Sequence, residues 1–306
     1  MALYRCYAAG LLVWGLAVGA ERVEIVHRPS GQFEVVSELG GAMGVKGTIN
    51  GAGGWRRLAT AKAYGADAMR TWHITDLPDS VPQAEELGLK ISAGIWLTHD
   101  KSRYENCSDM DADPFWQSEL ADLIDTVRRF KNSSAILWWT VGNEVEMEVA
   151  VTAGTDCLWQ RVDWVAKAVK EEDPDHPVGT VLAGAHVEKV RNIMRICESI
   201  EFLGVNTYGD ASLVVGLQLW AAGWEGAYVI AEYGPTGHWE APLTVWDSYI
   251  EESSTEKVPR YSATCFSCQE DPRCVGSFAF VWGWKWEKTG TWYGMFNEWP
   301  AVTENV

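Results

Sequence analysis

Apolar runs and amphipathic segments alternate along most of the chain. Residues 135–141 (AILWWTV) are almost continuously apolar, as in a strand buried on both faces of a parallel sheet. Residues 114–130 place Leu120, Ile124 and Val127 on one face of an amphipathic helix. Eight such strands alternating with seven helices predict an α/β protein with a (β/α)8 TIM-barrel fold. The predicted strands are residues 43–47, 66–72, 89–97, 135–141, 178–182, 202–206, 227–231 and 275–282, and the predicted helices are residues 55–64, 80–87, 114–130, 158–170, 187–197, 213–222 and 244–252.

Both ends of this pattern depart from a complete barrel. Residues 23–26 and 33–36 are short strand-like runs around turn residues at 28–31, which predict a short N-terminal β-hairpin. No convincing eighth helix follows the eighth strand, so either the hairpin covers that gap or the chain is truncated. An open doubly wound sheet is the alternative fold, but the Gly-x-Gly-x-x-Gly motif typical of it does not follow the first strand. No linker marks a second domain, and residues 21–306 are predicted to form a single domain.

Residues 1–20 have the pattern of a secretory signal peptide. One positive charge precedes an apolar stretch over residues 8–18, and the small residues that end the segment fit a cleavage site. We therefore expect a secreted protein, either extracellular or in the lumen of the secretory pathway, with an uncleaved membrane anchor as the alternative. Asn106 and Asn132 lie in Asn-x-Ser sequons, as expected of a glycoprotein.

Six cysteines lie beyond residue 20, and an even number in a secreted chain indicates disulfide bonds. Cys107 follows the third predicted strand and Cys157 follows the fourth. Since neighbouring strands place these loops side by side, we expect this pair to be bridged. The remaining disulfide bonds would fall among Cys197, Cys265, Cys268 and Cys274. Zinc is an alternative for the last three, but a fourth ligand with suitable spacing is missing.

Charge and aromatic content narrow the class of ligand. Lys and Arg number 25 against 42 Asp and Glu, for a net charge of −17, and no basic cluster is present. Because binding to phosphates needs such clusters, we expect no nucleic-acid partner. The 18 tryptophans outnumber the 10 tyrosines and the 8 phenylalanines, and their flat apolar faces suit sugar rings as well as a protein core. The sequence predicts a carbohydrate substrate, no cofactor and no metal, and it leaves the oligomeric state open.

Two carboxylates follow directly after apolar strands. Glu144 ends the run AILWWTVGNE after the fourth strand, and Glu232 ends the run AYVIAE after the seventh. The carboxyl ends of barrel strands form the active-site face of this fold. Two carboxyl groups about 5–5.5 Å apart there are what retaining glycoside hydrolysis requires, one as the nucleophile and one as acid and base.

Six segments resemble glycoside hydrolase clan A, and most closely the catalytic barrel domain of the family 2 glycoside hydrolases. They are GVKGTING, ADAMRTWH, AILWWTVGNEVE, FLGVNTYG, YVIAEYGPTGHWE and FAFVWGW, and they occur in order between residues 43 and 284. The resemblance implies a TIM barrel in which Glu144 is the general acid and base and Glu232 is the nucleophile.

The same resemblance implies roles for residues near the two glutamates. Asn143 would hydrogen-bond the sugar 2-hydroxyl, and Trp282 would form the floor of the sugar site. Tyr208 would orient Glu232, and Arg70 would lie beneath Glu232 and keep it ionised. Further substrate-binding candidates at the strand ends are Trp72, His73 and Asn206.

These residues predict a retaining β-glycosidase that acts on a β-linked oligo- or polysaccharide through a covalent glycosyl-enzyme. Transglycosylation through the same intermediate and a non-catalytic carbohydrate-binding barrel are the alternatives. Three other carboxylates either line outer sugar sites or are solvated, with solvation favoured: Glu146, Glu148 and Glu240. Tryptophans that either stack on sugar or pack in the core are Trp72, Trp96, Trp239 and Trp284. The loop histidines are expected to form hydrogen bonds or contact substrate: His73, His99 and His238.

Overall fold

Eight parallel strands close into a barrel in the computed structural model, which describes residues 21–38, 41–45, 47–107, 110–149 and 155–297. The last strand pairs with the first, with residues 276–279 opposite residues 49–52. The predicted TIM barrel is therefore confirmed, while the predicted signal peptide lies outside the described residues. The barrel strands are β4 (Ile49–Gly53), β5 (Ala68–Arg70), β6 (Lys90–Ile95), β7 (Ile136–Asn143), β8 (Val178–Ala183), β9 (Phe202–Asn206), β10 (Tyr228–Tyr233) and β11 (Cys274–Ala279), and the strands before them are β1 (Val23–His27), β2 (Phe33–Ser37) and β3 (Gly41–Ala42).

Helices connect consecutive barrel strands and cover the outside of the barrel. Their apolar faces pack on the outward side chains of the strands in one large core. No helix follows β11 within the described residues, which end at 297. None of the helices in the described ranges is long and apolar enough to cross a membrane. They are α1 (Leu58–Ala63), α2 (Leu77–Leu87), α3 (Pro114–Phe130), α4 (Glu146–Val149), α5 (Thr155–Glu172), α6 (Val187–Ile196), α7 (Val215–Ala222) and α8 (Ser254–Glu270).

The first predicted strand is wrong because the true one is built from small residues. The sequence INGAG of β4 has the glycines expected of a loop, and the apolar run before it was the better strand candidate. In the barrel, a Cβ atom on Gly51 would lie 2.5 Å from the Ala68 carbonyl oxygen and 2.7 Å from the Phe278 ring. Glycine is therefore required there because Phe278 fills the space that a side chain on β4 would occupy.

The seventh predicted helix, at residues 244–252, is also wrong, since the helix of that connection is α8. Its start is fixed by a capping box, in which Ser253 Oγ accepts from the Glu256 backbone N–H and the Glu256 carboxylate accepts from the Ser253 N–H. Such a Ser-x-x-Glu signal is readable in sequence. The helical pattern is obscured by Pro259 inside the helix and by cysteines, which are equally candidates for disulfide bonds or a zinc site.

The N-terminal sheet closes the end of the barrel where the strands begin. Val23 and Val35 join an apolar cluster with Trp138 and Phe278 of the barrel interior. The Val23 N–H also donates to the Asp175 carbonyl oxygen, 3.0 Å away, just before β8. The hairpin therefore closes the bottom of the barrel and leaves the carboxyl ends of the strands accessible.

The cysteines follow the prediction only in part. Cys268 and Cys274 form a disulfide bond that ties α8 to β11, which removes both as zinc ligands. Cys107 and Cys157 are free thiols, so the expected bridge between them is absent. The two thiols nevertheless lie close together. Burial and the adjacent Cys107 thiol raise the pKa of Cys157 to about 12. Instead of bridging, the Cys107 thiol donates to Gln160 Oε1 at 2.9 Å.

Candidate active site

Glu232 lies at the end of β10 and accepts hydrogen bonds from three side chains. Arg70 Nη1 and Trp72 Nε1 donate to its Oε1 at 2.9 and 2.8 Å, and Tyr208 Oη donates to its Oε2 at 2.7 Å. The carboxylate is 6% exposed and forms an ion pair with Arg70. Because donors reach both oxygens, the orientation of the Glu232 carboxylate is fixed.

Arg70 organises the centre of this network. Its Nη1 also donates to the Ala231 carbonyl oxygen at 2.9 Å and to Asn206 Oδ1 at 3.3 Å, and its Nη2 donates to Asn143 Oδ1 at 2.7 Å. Burial lowers the pKa of Arg70, and the carboxylates of Glu232 and Glu144 oppose that shift. The rigid planar guanidinium thereby sets the relative positions of the ends of four strands.

Glu144, directly after β7, has a different environment. It is half-buried, and among the described residues one side chain donates to its carboxyl group, Asn206 Nδ2 to Oε1 at 2.8 Å. Burial and, after it, the charge of Glu232 raise the pKa of Glu144 to about 7, against the opposing effects of the Asn206 hydrogen bond and Arg70. At neutral pH a large fraction of Glu144 is therefore protonated and able to act as an acid.

The backbone at Glu144 is held in an unusual conformation. Its φ of 53° lies in the left-handed region, which costs a non-glycine residue about 1–3 kcal/mol and persists where surrounding structure fixes it. The Glu144 N–H donates to the Val181 carbonyl oxygen at 2.9 Å. The buried carboxylate of Glu146 accepts from the Ala183 N–H and from Lys189 Nζ, at 2.8 and 2.9 Å. These bonds tie the turn after β7 to β8, and the expectation that Glu146 is solvated is therefore wrong.

A continuous chain of hydrogen bonds joins the two glutamates. Asn206 donates through Nδ2 to Glu144 and, at 3.1 Å, to Asn143 Oδ1, while its Oδ1 accepts from Arg70. Arg70 in turn bonds Glu232. The structure thus brings together most of the residues singled out from sequence, namely Arg70, Trp72, Asn143, Glu144, Asn206, Tyr208 and Glu232.

Trp96 lies between two histidines at this face. Trp96 is stacked on the rings of His73 and His99, each with its centroid 4.7 Å away. Its indole is thus engaged by imidazoles, and His99 Nε2 donates to the Asn143 carbonyl oxygen at 2.8 Å. His73 is exposed at the edge of this stack and stays a predicted substrate contact.

Trp282, the expected floor of the sugar site, is packed in the core instead. It is 2% exposed and lies edge-on to Phe296, with ring centroids 4.8 Å apart. The aromatic ring from this strand that meets the site is Phe280, which lies edge-on to Trp72 and Tyr208 at 5.8 and 5.9 Å. Sequence reasoning missed Phe280 because FAFVWGW offers several aromatic residues, and the three-dimensional course of the strand end decides which one faces the glutamates.

The arrangement places a fixed carboxylate beside a carboxyl group that holds its proton near neutral pH. In such a pair the protonated carboxyl group can give its proton to a leaving oxygen, while the carboxylate attacks the carbon to which that oxygen was bonded. Within the described ranges, no group of three or more His, Cys, Asp or Glu side chains is arranged to hold a metal ion.

Comparison with known proteins adds family information to this geometry. The family model for glycosyl hydrolases family 2, TIM barrel domain, matches residues 56–250. Over 89 residues the chain is 34% identical to a beta-galactosidase of Arthrobacter sp. (strain B7), which covers 28% of this chain and 9% of that protein. A putative beta-galactosidase from Bacteroides fragilis has a similar fold, with a TM-score of 0.64 at 16% identity over 92% of this chain and 43% of that one. A beta-D-glucuronidase of Dictyoglomus thermophilum is also similar, with a TM-score of 0.61 at 14% identity over 93% of this chain and 52% of that one.

These relatives differ from the chain in length, because it spans about half of the glucuronidase and smaller shares of the two galactosidases. At such low identity the likeness to the solved structures shows the shared fold alone. The family match is more informative, since it extends over more than half of the chain and includes both Glu144 and Glu232. The chain belongs to glycosyl hydrolase family 2, of which it carries the TIM-barrel domain.

Proposed function

We propose that the protein is a retaining β-glycosidase that cleaves a β-linked oligo- or polysaccharide. The observation that carries the proposal is the asymmetry of the two glutamates. Glu232 is ion-paired and fixed by three donors, as a nucleophile requires, whereas Glu144 has a pKa of about 7, as a general acid requires. Membership of family 2 supports glycoside cleavage as the reaction.

In the first step, Glu144 gives its proton to the glycosidic oxygen as the bond from that oxygen to the anomeric carbon breaks. A Glu232 oxygen forms a bond to the same carbon, producing a glycosyl ester and releasing the aglycone. In the second step the Glu144 carboxylate takes a proton from water, whose oxygen attacks the anomeric carbon and frees Glu232. Two inversions at one carbon give net retention.

Asn143 supports the placement of the sugar. Its Oδ1 accepts from Arg70 and Asn206 at 2.7 and 3.1 Å, so the amide oxygen is already engaged. The amide nitrogen is the remaining donor of this side chain. We assign it to the sugar 2-hydroxyl, next to the carbon that Glu232 attacks.

The test combines a substrate panel with the stereochemistry of the product. Aryl β-galactosides and β-glucuronides come first because of the named relatives, followed by β-glucosides, β-mannosides and the corresponding polysaccharides. Proton NMR of the first product should show the β-anomer, and a 2-deoxy-2-fluoro glycoside of the accepted sugar should label the peptide that contains Glu232. An α-anomer as the first product would exclude the covalent route.

The same assay separates the two alternatives. Products longer than the starting oligosaccharide at high substrate concentration would identify transglycosylation. A folded protein that binds the glycans and hydrolyses none of them would identify a carbohydrate-binding barrel.

A further inference from the structure

The loops after β10 and β11 carry exposed tryptophans at the same end of the barrel as Glu232. Trp239 is 58% exposed and Trp284 is 41% exposed. Both follow the carboxyl ends of their strands by a few residues, so they rise from the face that holds the two glutamates. Neither indole is needed to fill the core, and two large apolar rings left in water on one face indicate a binding surface.

Trp239 is held in place and lies close to Glu232. Its ring is edge-on to Tyr208, with centroids 5.7 Å apart, and Tyr208 is the residue that donates to Glu232. The indole also lies directly against Gly237, where a Cβ atom would come within 2.3 Å of the ring. Backbone on one side and a partly buried tyrosine on another therefore fix the ring while more than half of it stays exposed.

Trp284 has a similar support. A Cβ atom on Gly290 would come within 2.5 Å of its Nε1, so this indole also lies against a glycine. The two loops are joined to each other, because Trp292 Nε1 donates to the Thr236 carbonyl oxygen at 3.0 Å. The exposed indoles thus stand on one cross-linked rim.

We propose that this rim, defined by Trp239 and Trp284, is a sugar-binding subsite for units of the glycan beyond the one that Glu232 attacks. The inference rests on the proposed function and deepens it. A β-linked pyranose presents a flat face of C–H groups, which suits a fixed, exposed indole. Trp239 is separated from Glu232 by one tyrosine ring, and a second sugar unit therefore reaches it without leaving the barrel face. The substrate is accordingly a chain of several sugars, rather than a disaccharide or an aryl glycoside.

The experiment measures how affinity depends on chain length in a protein that cannot turn over its ligand. Glu232→Gln is titrated calorimetrically with laminari-, cello-, manno- and β-1,4-galacto-oligosaccharides of two to six units. The titration is repeated with Trp239→Ala and, separately, with Trp220→Ala in the same background. Trp220 is 66% exposed in the last turn of α7, on the outer layer, and serves as the matched control.

The expected result is that affinity for the accepted oligosaccharide rises about tenfold or more between two and four units. Trp239→Ala should remove that rise, and Trp220→Ala should leave it intact. The subsite is refuted if affinity is independent of length, if no oligosaccharide binds, or if Trp239→Ala weakens binding no more than Trp220→Ala does. Hydrolysis of the bound oligosaccharide by the unmodified protein decides the proposed function independently, since a length-dependent binder without hydrolysis would retain the subsite and lose the glycosidase.

Discussion

The ends of strands β7 and β10 present the same residue type in opposite surroundings. At the end of β10, Glu232 is 6% exposed, ion-paired and held by three donors on its two oxygens. After β7, Glu144 is half-buried, accepts one side-chain hydrogen bond among the described residues and has a pKa of about 7. The environment of each side chain, and not its residue type, therefore makes Glu232 a fixed anion and Glu144 a proton donor.

The backbone makes the same distinction. Strand β10 includes Glu232, which pairs with Asn206 of β9, and its pairing with both β9 and β11 shifts register after Ile230. Strand β7 instead ends in a turn where Gly142 has a φ of 77° and Glu144 a φ of 53°. Strand β10 positions the Glu232 carboxylate among donors of neighbouring strands, whereas Glu144, in left-handed conformation after β7, receives only one side-chain donor among the described residues. Strain at a functional residue is expected where geometry matters more than local stability.

The largest effect should come from removing the fixed anion. Glu232→Gln keeps the shape of the side chain and loses the nucleophile, so we expect kcat to fall by about 10⁴-fold or more. Glu225→Gln, at an exposed position just before β10, is the matched control and should stay within about twofold of the unmodified protein in steady-state assays. Comparable kcat values for Glu232→Gln and the control would end the role assigned to Glu232.

Removing the proton donor should have an effect that depends on the leaving group. For an alkyl or sugar aglycone, Glu144→Gln should lower kcat/KM by about 10²–10⁴-fold. A nitrophenyl or dinitrophenyl aglycone needs little protonation, so the first step should be much less impaired and azide should restore turnover. The measurement is a series of aryl glycosides of decreasing leaving-group pKa. Equal losses across the series would contradict general acid catalysis by Glu144.

The pH profile gives the same distinction without a change of leaving group. Glu144 acts as an acid in its protonated form, so kcat/KM should fall as pH rises through about 7, the pKa that burial and the charge of Glu232 give this group. In Glu144→Gln that limb should disappear, whereas in Glu225→Gln it should stay. A limb that persists unchanged in Glu144→Gln would assign the titration to another group.

The donors around Glu232 should each contribute less than the carboxylate itself. Trp72→Phe and Tyr208→Phe each remove one hydrogen bond to a charged oxygen, and such bonds are worth about 1.5–3 kcal/mol, or about 10–100-fold in kcat. Trp164→Phe is the matched control, because its indole donates to Asp111 on the outer face at 3.0 Å. If the kcat of either donor variant matches that of this control, the hydrogen bond from that donor does not support Glu232 in catalysis.

The sequence predicted which residues lie at the site better than it predicted the hydrogen bonds that hold them there. Apolar strands followed by single polar residues located Arg70, Glu144 and Glu232, because in a barrel such residues must share one face. Contacts that depend on distant partners were beyond reach. Trp72, predicted as a substrate contact, also donates to Glu232, 160 positions away, and the buried carboxylate of Glu146 accepts from Lys189 of α6. Position along a strand is encoded locally, whereas hydrogen-bond partners depend on the closure of the whole barrel.

The smallest expected effect is on thermal stability, and it tests the protonation of Glu144 directly. A carboxyl group whose pKa is raised from 4.5 in the unfolded chain to about 7 in the folded protein binds its proton more tightly when folded. Its favourable contribution is complete below pH 4.5 and is lost as pH rises through 7. Glu144→Gln, which cannot ionise, should therefore melt at about the same temperature as the unmodified protein at pH 4.5 and a few degrees higher at pH 8. A constant difference across that pH range would show that Glu144 is not kept protonated by the fold, and the contrast with Glu232 would then rest on hydrogen bonds alone.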